Sequence, residues 1–442
     1  MNEYILCRAV ETGDAGSVER LLASGIDPNV PRPNRGNETA LHLTATHDRT
    51  KIAEMLLGKK AIPNATNDEG ETALHLAAMY GRTEIAKILL DNKANPNATN
   101  KKGETALHLA ATNSYAESAK IAEMLLGKKA NPNATNEKGE TALHLAAMYG
   151  RTEIAKILLG KKANPNVANE KGKTALHLAT THDRTEIAEM LLGKKANPNA
   201  ANKVGETALH LAATGGYTKI AKMLLDGEAE LDATVNGGIT ALMIAANHGS
   251  AEIIKILLDK GADLHLTNNK GFTAVHIAAL HDNVLAAKVL LNGESDPNAK
   301  DNDGDTPLHL AARIGKANMV KTLLFSGAKS KPQNNIGITP LDVALENDFP
   351  HIERLLVIHK EQPGGGRTAG NDVAANFRYF YQSADDLQPV GKCVDDKKDG
   401  YDSEESAKAK AESIHQKRGL KLRPYKCHKC DYWHLTKSAP RR

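Results

Sequence analysis

A core of the Thr-Ala-Leu-His type recurs with its threonine at positions 39, 72, 105, 141, 174, 207, 240, 273, 306 and 339. Eight of the nine intervals are 33 residues long, and the one from Thr105 to Thr141 is 36. A fixed period of this length marks a chain assembled from copies of one supersecondary unit, which narrows the available folds more than any other feature. Residues 67–99 show the unit. Asn67 to Glu71 is a polar turn around Gly70, which suits a positive φ, and Thr72 is placed to cap a helix carrying Leu74, Leu76 and Ala77. Gly81 ends that helix, and a second follows from Thr83 to Leu90 with Ile85, Ile88, Leu89 and Leu90 on its apolar face. Each predicted helix has about two turns, too few to persist alone in water. The apolar stripes must therefore be buried against neighbouring copies.

The 33-residue unit with its Thr-Ala-Leu-His-Leu-Ala-Ala core resembles the ankyrin repeat over residues 4–360. The resemblance implies a mostly α fold, an ankyrin-repeat solenoid of about ten repeats plus an N-terminal capping unit, spanning residues 1–360. Residues 1–33 lack the Thr-Ala-Leu-His start, and the last unit departs at Thr339-Pro340-Leu341-Asp342, so both ends read as caps. Two unit types alternate, one with Met79-Tyr80-Gly81-Arg82 and Met148-Tyr149-Gly150-Arg151, the other with His47-Asp48-Arg49 and His182-Asp183-Arg184. From Ile239 onward the units diverge.

Histidine fills the fourth core position at 42, 75, 108, 144, 177, 210, 276 and 309. A metal ladder is one reading; the favoured one is structural, with each ring reaching back to the capping threonine and linking adjacent units. Lysine pairs such as Lys59-Lys60 and Lys128-Lys129 follow the second helices, where they complement the negative helix end or form a basic stripe. By the resemblance, a protein partner is expected on the turn tips and the inner, concave face. The candidates there are Tyr80, Tyr149, His47, His182, His248 and His281, with Ile239, Phe272 and Ile338 as an exposed apolar patch. Ser114-Tyr115-Ala116 lengthens one inter-helix segment, either as a recognition bump or as drift. No nucleophile, base and orienting group come together by spacing, and no phosphate loop is present, so neither catalysis nor a small-molecule substrate is expected. Cys7 sits among apolar neighbours in the first helix and is expected to be buried.

Composition changes at Glu361-Gln362-Pro363-Gly364-Gly365-Gly366, which predicts a flexible linker over 361–376 and a separate module over 377–442. The module has an aromatic run from Phe377 to Tyr381, an acidic segment, a helix over Ser406 to Arg418, a strand over Leu420 to Lys426, and an extended Trp433-His434-Leu435-Thr436. Cys427-His428-Lys429-Cys430 offers two thiolates from a tight turn. With Cys393 and His434 they make a tetrahedral set of three sulfurs and one nitrogen for a structural Zn2+. His428 in place of His434, a redox dithiol and unligated thiols are the alternatives. The ending from Tyr425 to Thr436 resembles small zinc-ribbon-like proteins of phages and bacteria, which implies an α+β module and a bacterial, symbiont or phage origin. A basic face with Arg423, Lys426, Lys429 and Trp433 gives nucleic acid as an alternative partner for this module.

Net charge is only +4 over 442 residues, so bulk charge does not argue for nucleic acid. No stretch of about 18 apolar residues exists to span a membrane, and the N-terminus shows no secretory pattern. Three of the four cysteines cluster in the tail, which fits one local site in a reducing compartment. The sequence reading is thus a cytosolic, non-enzymatic interaction scaffold, with delivery to a host cell and action on host factors as its extension.

Overall fold

A computed structural model describes residues 2–32, 35–360, 391–392, 399–400, 423–426 and 433–436. The chain forms two compact units, Met1–Pro363 and Gly364–Arg442, and their boundary falls within the predicted linker.

The first unit is a run of helix pairs, from Asn2–Thr12 with Ala15–Ala23 through to Pro340–Glu346 with Pro350–Lys360. Each inner helix, the one that follows the repeat threonine, packs on the inner helices before and after it, and each outer helix on the next outer helix. One apolar core therefore runs unbroken from Leu6 to Leu356. The inner helices meet through Ala77, Ala78, Ala110 and Ala111, all 0% exposed, and Leu74, Leu107 and Leu143 interleave between layers. Small and large residues alternate across the contacts, so short helices approach closely and still fill space. Cys7 belongs to this core.

Local chemistry fixes the helix ends. Thr72 is extended (φ −94°, ψ 167°), and its hydroxyl accepts the His75 N–H at 3.5 Å. Gly81 adopts φ 68°, and the Arg82 N–H then returns to the Ala77 carbonyl at 2.8 Å. After the outer helices the left-handed position is held by a lysine, at Lys60, Lys93, Lys129, Lys162 and Lys195 (φ 63° to 68°). Elsewhere the same position carries glycine, at Gly25, Gly261 and Gly327. A side chain there meets the following carbonyl and costs about 1–2 kcal/mol, partly offset by the extra freedom glycine gives the unfolded chain. Lys129→Gly is expected to stabilise the protein by about 0.5–1 kcal/mol. A denaturation midpoint that falls would show that the lysine does more for the fold than its backbone geometry indicates.

Three hydrogen-bonded ladders tie the layers together. In the turns, Asn67 Oδ1 accepts from the Glu69 and Glu71 N–H groups, which shapes the loop around Gly70. The tips then join through single backbone bonds, from Lys101 N to Glu69 O (2.9 Å) and from Glu137 N to Lys102 O (2.9 Å). At the opposite edge, Asn64 Oδ1 accepts the Asn95 N–H, Asn97 the Asn131 N–H and Asn133 the Asn164 N–H, each at 2.7 Å. The third ladder runs through the buried histidines.

The 36-residue interval is accommodated between the helices Ala106–Thr112 and Ser118–Gly127. Asn113 turns back, and its Nδ2 donates to the Ala78 and Met79 carbonyls of the preceding repeat (3.3 and 2.7 Å). Tyr115 lies over Gly81, so close that a Cβ on that glycine would stand 3.1 Å from the Tyr115 Cβ. Divergence after residue 230 shows as a hairpin of Thr234–Val235 with Ile239–Thr240, where Met243 replaces the core histidine.

In the second unit, Gly391–Lys392 pairs antiparallel with Asp399–Gly400, and Arg423–Lys426 pairs with Trp433–Thr436. Tyr425 stands opposite His434, and Lys426 opposite Trp433. Strands thus occur in both segments read as extended from sequence. The predicted helix Ser406 to Arg418 and the aromatic run lie outside the described residues.

Candidate interaction surface

The buried histidines come first, because they decide whether the interior has chemistry to spare. His75 Nδ1 accepts the Thr72 N–H at 3.1 Å and lies 2.8 Å from the Thr72 hydroxyl. Its Nε2 stands 3.0 Å from the Glu104 carbonyl of the next repeat. A ring that accepts at Nδ1 must carry its proton on Nε2, so Nε2–H donates to that carbonyl and the imidazole is neutral. The same pair of bonds recurs at His42, His108, His144, His177, His276 and His309, and His210 uses the Ala233 carbonyl. Burial pushes all eight pKa values below 6.5, although each backbone bond pulls the other way. Both ring nitrogens are occupied, so the row is a structural staple rather than a metal ladder. Among the described residues, no group of three or more His, Cys, Asp or Glu side chains could hold a metal.

The sequence-nominated surface residues fall at one repeating station, the C-terminal end of each inner helix. His47, Tyr149 and His248 are last residues of their helices, while Tyr80, His182 and His281 are C-caps. His47, His182, His248 and His281 are exposed, Tyr149 is 45% exposed, and Tyr80 is half-buried against the core. Burial, then Arg184 and Lys173, pushes the His182 pKa down. A polar or aromatic group thereby stands at this station in most layers, with Gly215 and Ile314 as the exceptions. The apolar trio differs from expectation. Ile239, Phe272 and Ile338 are half-buried and pack on the core, and Phe272 stacks on His276 at 5.6 Å between ring centroids. They offer less free apolar area than an exposed patch would, because the turn folds each one down over the inner helix it precedes.

Sequence reasoning missed the residue that precedes each outer helix. Arg49 Nη2 donates to the Glu11 carbonyl (2.9 Å) and Arg151 Nη2 to the Thr112 carbonyl (3.0 Å). Asn283 Nδ2 reaches the Ala246 and Asn247 carbonyls. Each satisfies orphan carbonyls at the end of the preceding repeat's inner helix. Their recurrence before the outer helix was a visible signal; the direction of reach was not. Of the nominated metal ligands, Cys393, Cys427 and Cys430 lie outside the described residues, as does Lys429. His434, Arg423, Lys426 and Trp433 are placed by backbone only.

Stacked helix pairs, capped threonines and ring-to-carbonyl staples define a repeat solenoid whose chemistry sits on its surface. Ankyrin repeats, described as a profile of three copies, match in overlapping windows from residues 6–100 through 115–202 and 209–301 to 275–365. The chain belongs to the ankyrin-repeat family. Such repeats point to a protein–protein interaction scaffold, and proteins built from them are generally non-enzymatic. A search of curated proteins finds no match. Among the described residues no helix is long and apolar enough to cross a membrane.

Proposed function

We propose that the chain grips a protein partner through the inner-helix ends, with Tyr80, Tyr149, His47, His182, His248 and His281 as contact residues and the half-buried Ile239, Phe272 and Ile338 flanking them. The observation that carries this reading is the division of labour among polar groups. Interior histidines and ladder asparagines are bonded within the fold, whereas six of the ten inner-helix ends carry an aromatic or imidazole group, five of them exposed. Tyrosine brings large contact area at small entropic cost. Full-length protein and the Tyr80→Ala/Tyr149→Ala/His182→Ala variant should differ at least tenfold in retention of a captured partner, with equal melting temperatures. Equal retention would remove these residues from the interface.

For the second unit we propose a structural Zn2+ held by Cys393, Cys427, Cys430 and His434. The support is the donor chemistry, which fits a closed tetrahedral site, and the hairpin of Arg423–Lys426 with Trp433–Thr436, whose connection carries Cys427 and Cys430. Bound zinc would cross-link a segment too short to bury much core. Metal analysis is expected to find about one zinc per chain, lost in Cys427→Ser; zinc-free protein whose four thiols all titrate once it is unfolded would end the proposal. The cross-strand pairing of Lys426 with Trp433 favours a second reading, in which Arg423, Lys426, Lys429 and Trp433 contact nucleic acid and the repeats recruit. Action on host factors rests on the tail's resemblance alone.

A further inference from the structure

The left-handed lysines raise a question that the fold does not answer. Lys60, Lys93, Lys129, Lys162 and Lys195 occupy a backbone position that glycine fills elsewhere in the same molecule, and all five are exposed. Four of the five are preceded by a second exposed lysine, giving nine in five consecutive repeats. They lie on one edge. Asn29, Asn64, Asn97 and Asn166 donate through Nδ2 to the carbonyls of Lys60, Lys93, Lys129 and Lys195 at 3.1 to 3.5 Å, each bond joining one repeat to the next. Stacked helices stand about 8–10 Å apart, so the ladder spaces its cations at roughly that interval.

Among the described residues, one of the nine lysines is ion-paired, and the edge keeps the charge of the other eight. Asp91 pairs with Lys128 at 2.9 Å. Glu84 and Glu153 pair within their own helices, with Lys87 and Lys156. At the Thr207 repeat the run stops, where Glu228 takes the left-handed position, followed by Gly261, Glu294 and Gly327. Among the described residues at the lysines and the ladder positions beside them, the exposed large apolar side chain is Ile62, and no aromatic group stands there. A protein partner needs anchors that fill pockets, and single-stranded bases need aromatic platforms. What a regularly spaced row of ammonium groups can recognise is dense, regular negative charge, and lysine contacts phosphate as a point charge without demanding fixed geometry.

We propose that this lysine edge binds the phosphate backbone of duplex nucleic acid without sequence preference. The surface is distinct from the inner-helix ends and from the tail residues considered above. Its test uses the full chain and a short mixed-sequence DNA duplex, with the dissociation constant measured across a salt series. In wild type, log K is expected to fall linearly with log[salt]. In the variant Lys60→Gly/Lys93→Gly/Lys129→Gly/Lys162→Gly/Lys195→Gly the slope should flatten by up to about 4.5, about 0.9 for each lost phosphate contact, with affinity reduced at least tenfold. Because glycine suits this backbone position, the variant should melt no lower than wild type, so weaker binding would not reflect unfolding. Replacing the same five by arginine should preserve the slope. An Arg423→Gln/Lys426→Gln/Lys429→Gln variant separates the tail, and it should keep most of the binding. The proposal is overturned if the five-glycine variant retains the wild-type slope, if the tail variant alone abolishes binding, or if poly-glutamate competes as well as duplex.

Discussion

Acidification from about pH 7.5 to about pH 5 is expected to lower the denaturation midpoint of the repeat unit steeply, because eight buried histidines must stay neutral in the fold. The sign follows from the direction of the shifts. Burial holds each folded-state pKa below the ordinary value of 6.5, so the unfolded chain binds protons that the native rings refuse. The stabilisation is complete above 6.5 and is lost as pH falls below it towards the folded-state values. Each ring contributes a slope of about 1.4 kcal/mol per pH unit within that window. Eight acting together would give an upper limit of about 11 kcal/mol per pH unit, reached only if all repeats unfold as one. Geometry gives the cause at atomic level. A proton on Nδ1 would face the Thr72 N–H at 3.1 Å, turning an acceptor into a second donor. Asp14 and Asp342, whose pKa values their hydrogen bonds lower from 3.8, act in a more acidic window and do not confuse the reading. Urea midpoints that coincide at the two pH values would mean that the rings are not neutral staples.

Much of this architecture was legible because the repeat supplies its own controls. Ten threonines in register give the helix starts, and a histidine three residues later lies within reach of its cap wherever it occurs. The ladders were harder to see. Asn97 and Asn133 read as ordinary turn residues beside proline, and only stacking reveals that their acceptors serve backbone N–H groups 34 and 31 residues away. Phe272 and Ile338 read as exposed because turn tips usually are, whereas the turn lays them against the core. Phe272 gains His276 as a stacking partner, which periodicity cannot indicate. In the tail no period exists to average over. Its two-to-four-residue strands carry weak local signals, so the extended segments 423–426 and 433–436 were readable and the pairing of 391–392 with 399–400 was not.

His144→Ala is expected to cost about 3 kcal/mol at neutral pH, from a cavity in a filled layer and from the Thr141 N–H left without its acceptor. The Lys173 carbonyl would keep the Asn169 N–H at 2.9 Å and lose only its second partner. The donor side of the staple is therefore the expensive one. Two departures within the molecule bear on this assignment. At the last repeat Asp342 takes the histidine position, and its carboxylate accepts the Thr339 N–H at 2.9 Å. At the Thr240 repeat Met243 has no acceptor to offer, and there the chain forms a hairpin in which Thr240 pairs with Thr234. At the last repeat the acceptor survives the loss of the ring, as expected if acceptance at Nδ1 is the indispensable function. His144→Gln, which can reach back to the cap without filling the ring's volume, should recover part of the loss. Both variants should also shed one histidine's share of the acid sensitivity. A His144→Ala protein as stable as wild type at pH 7, or one that keeps the full acid slope, would show that the staple stabilises the stack by some route other than a neutral ring.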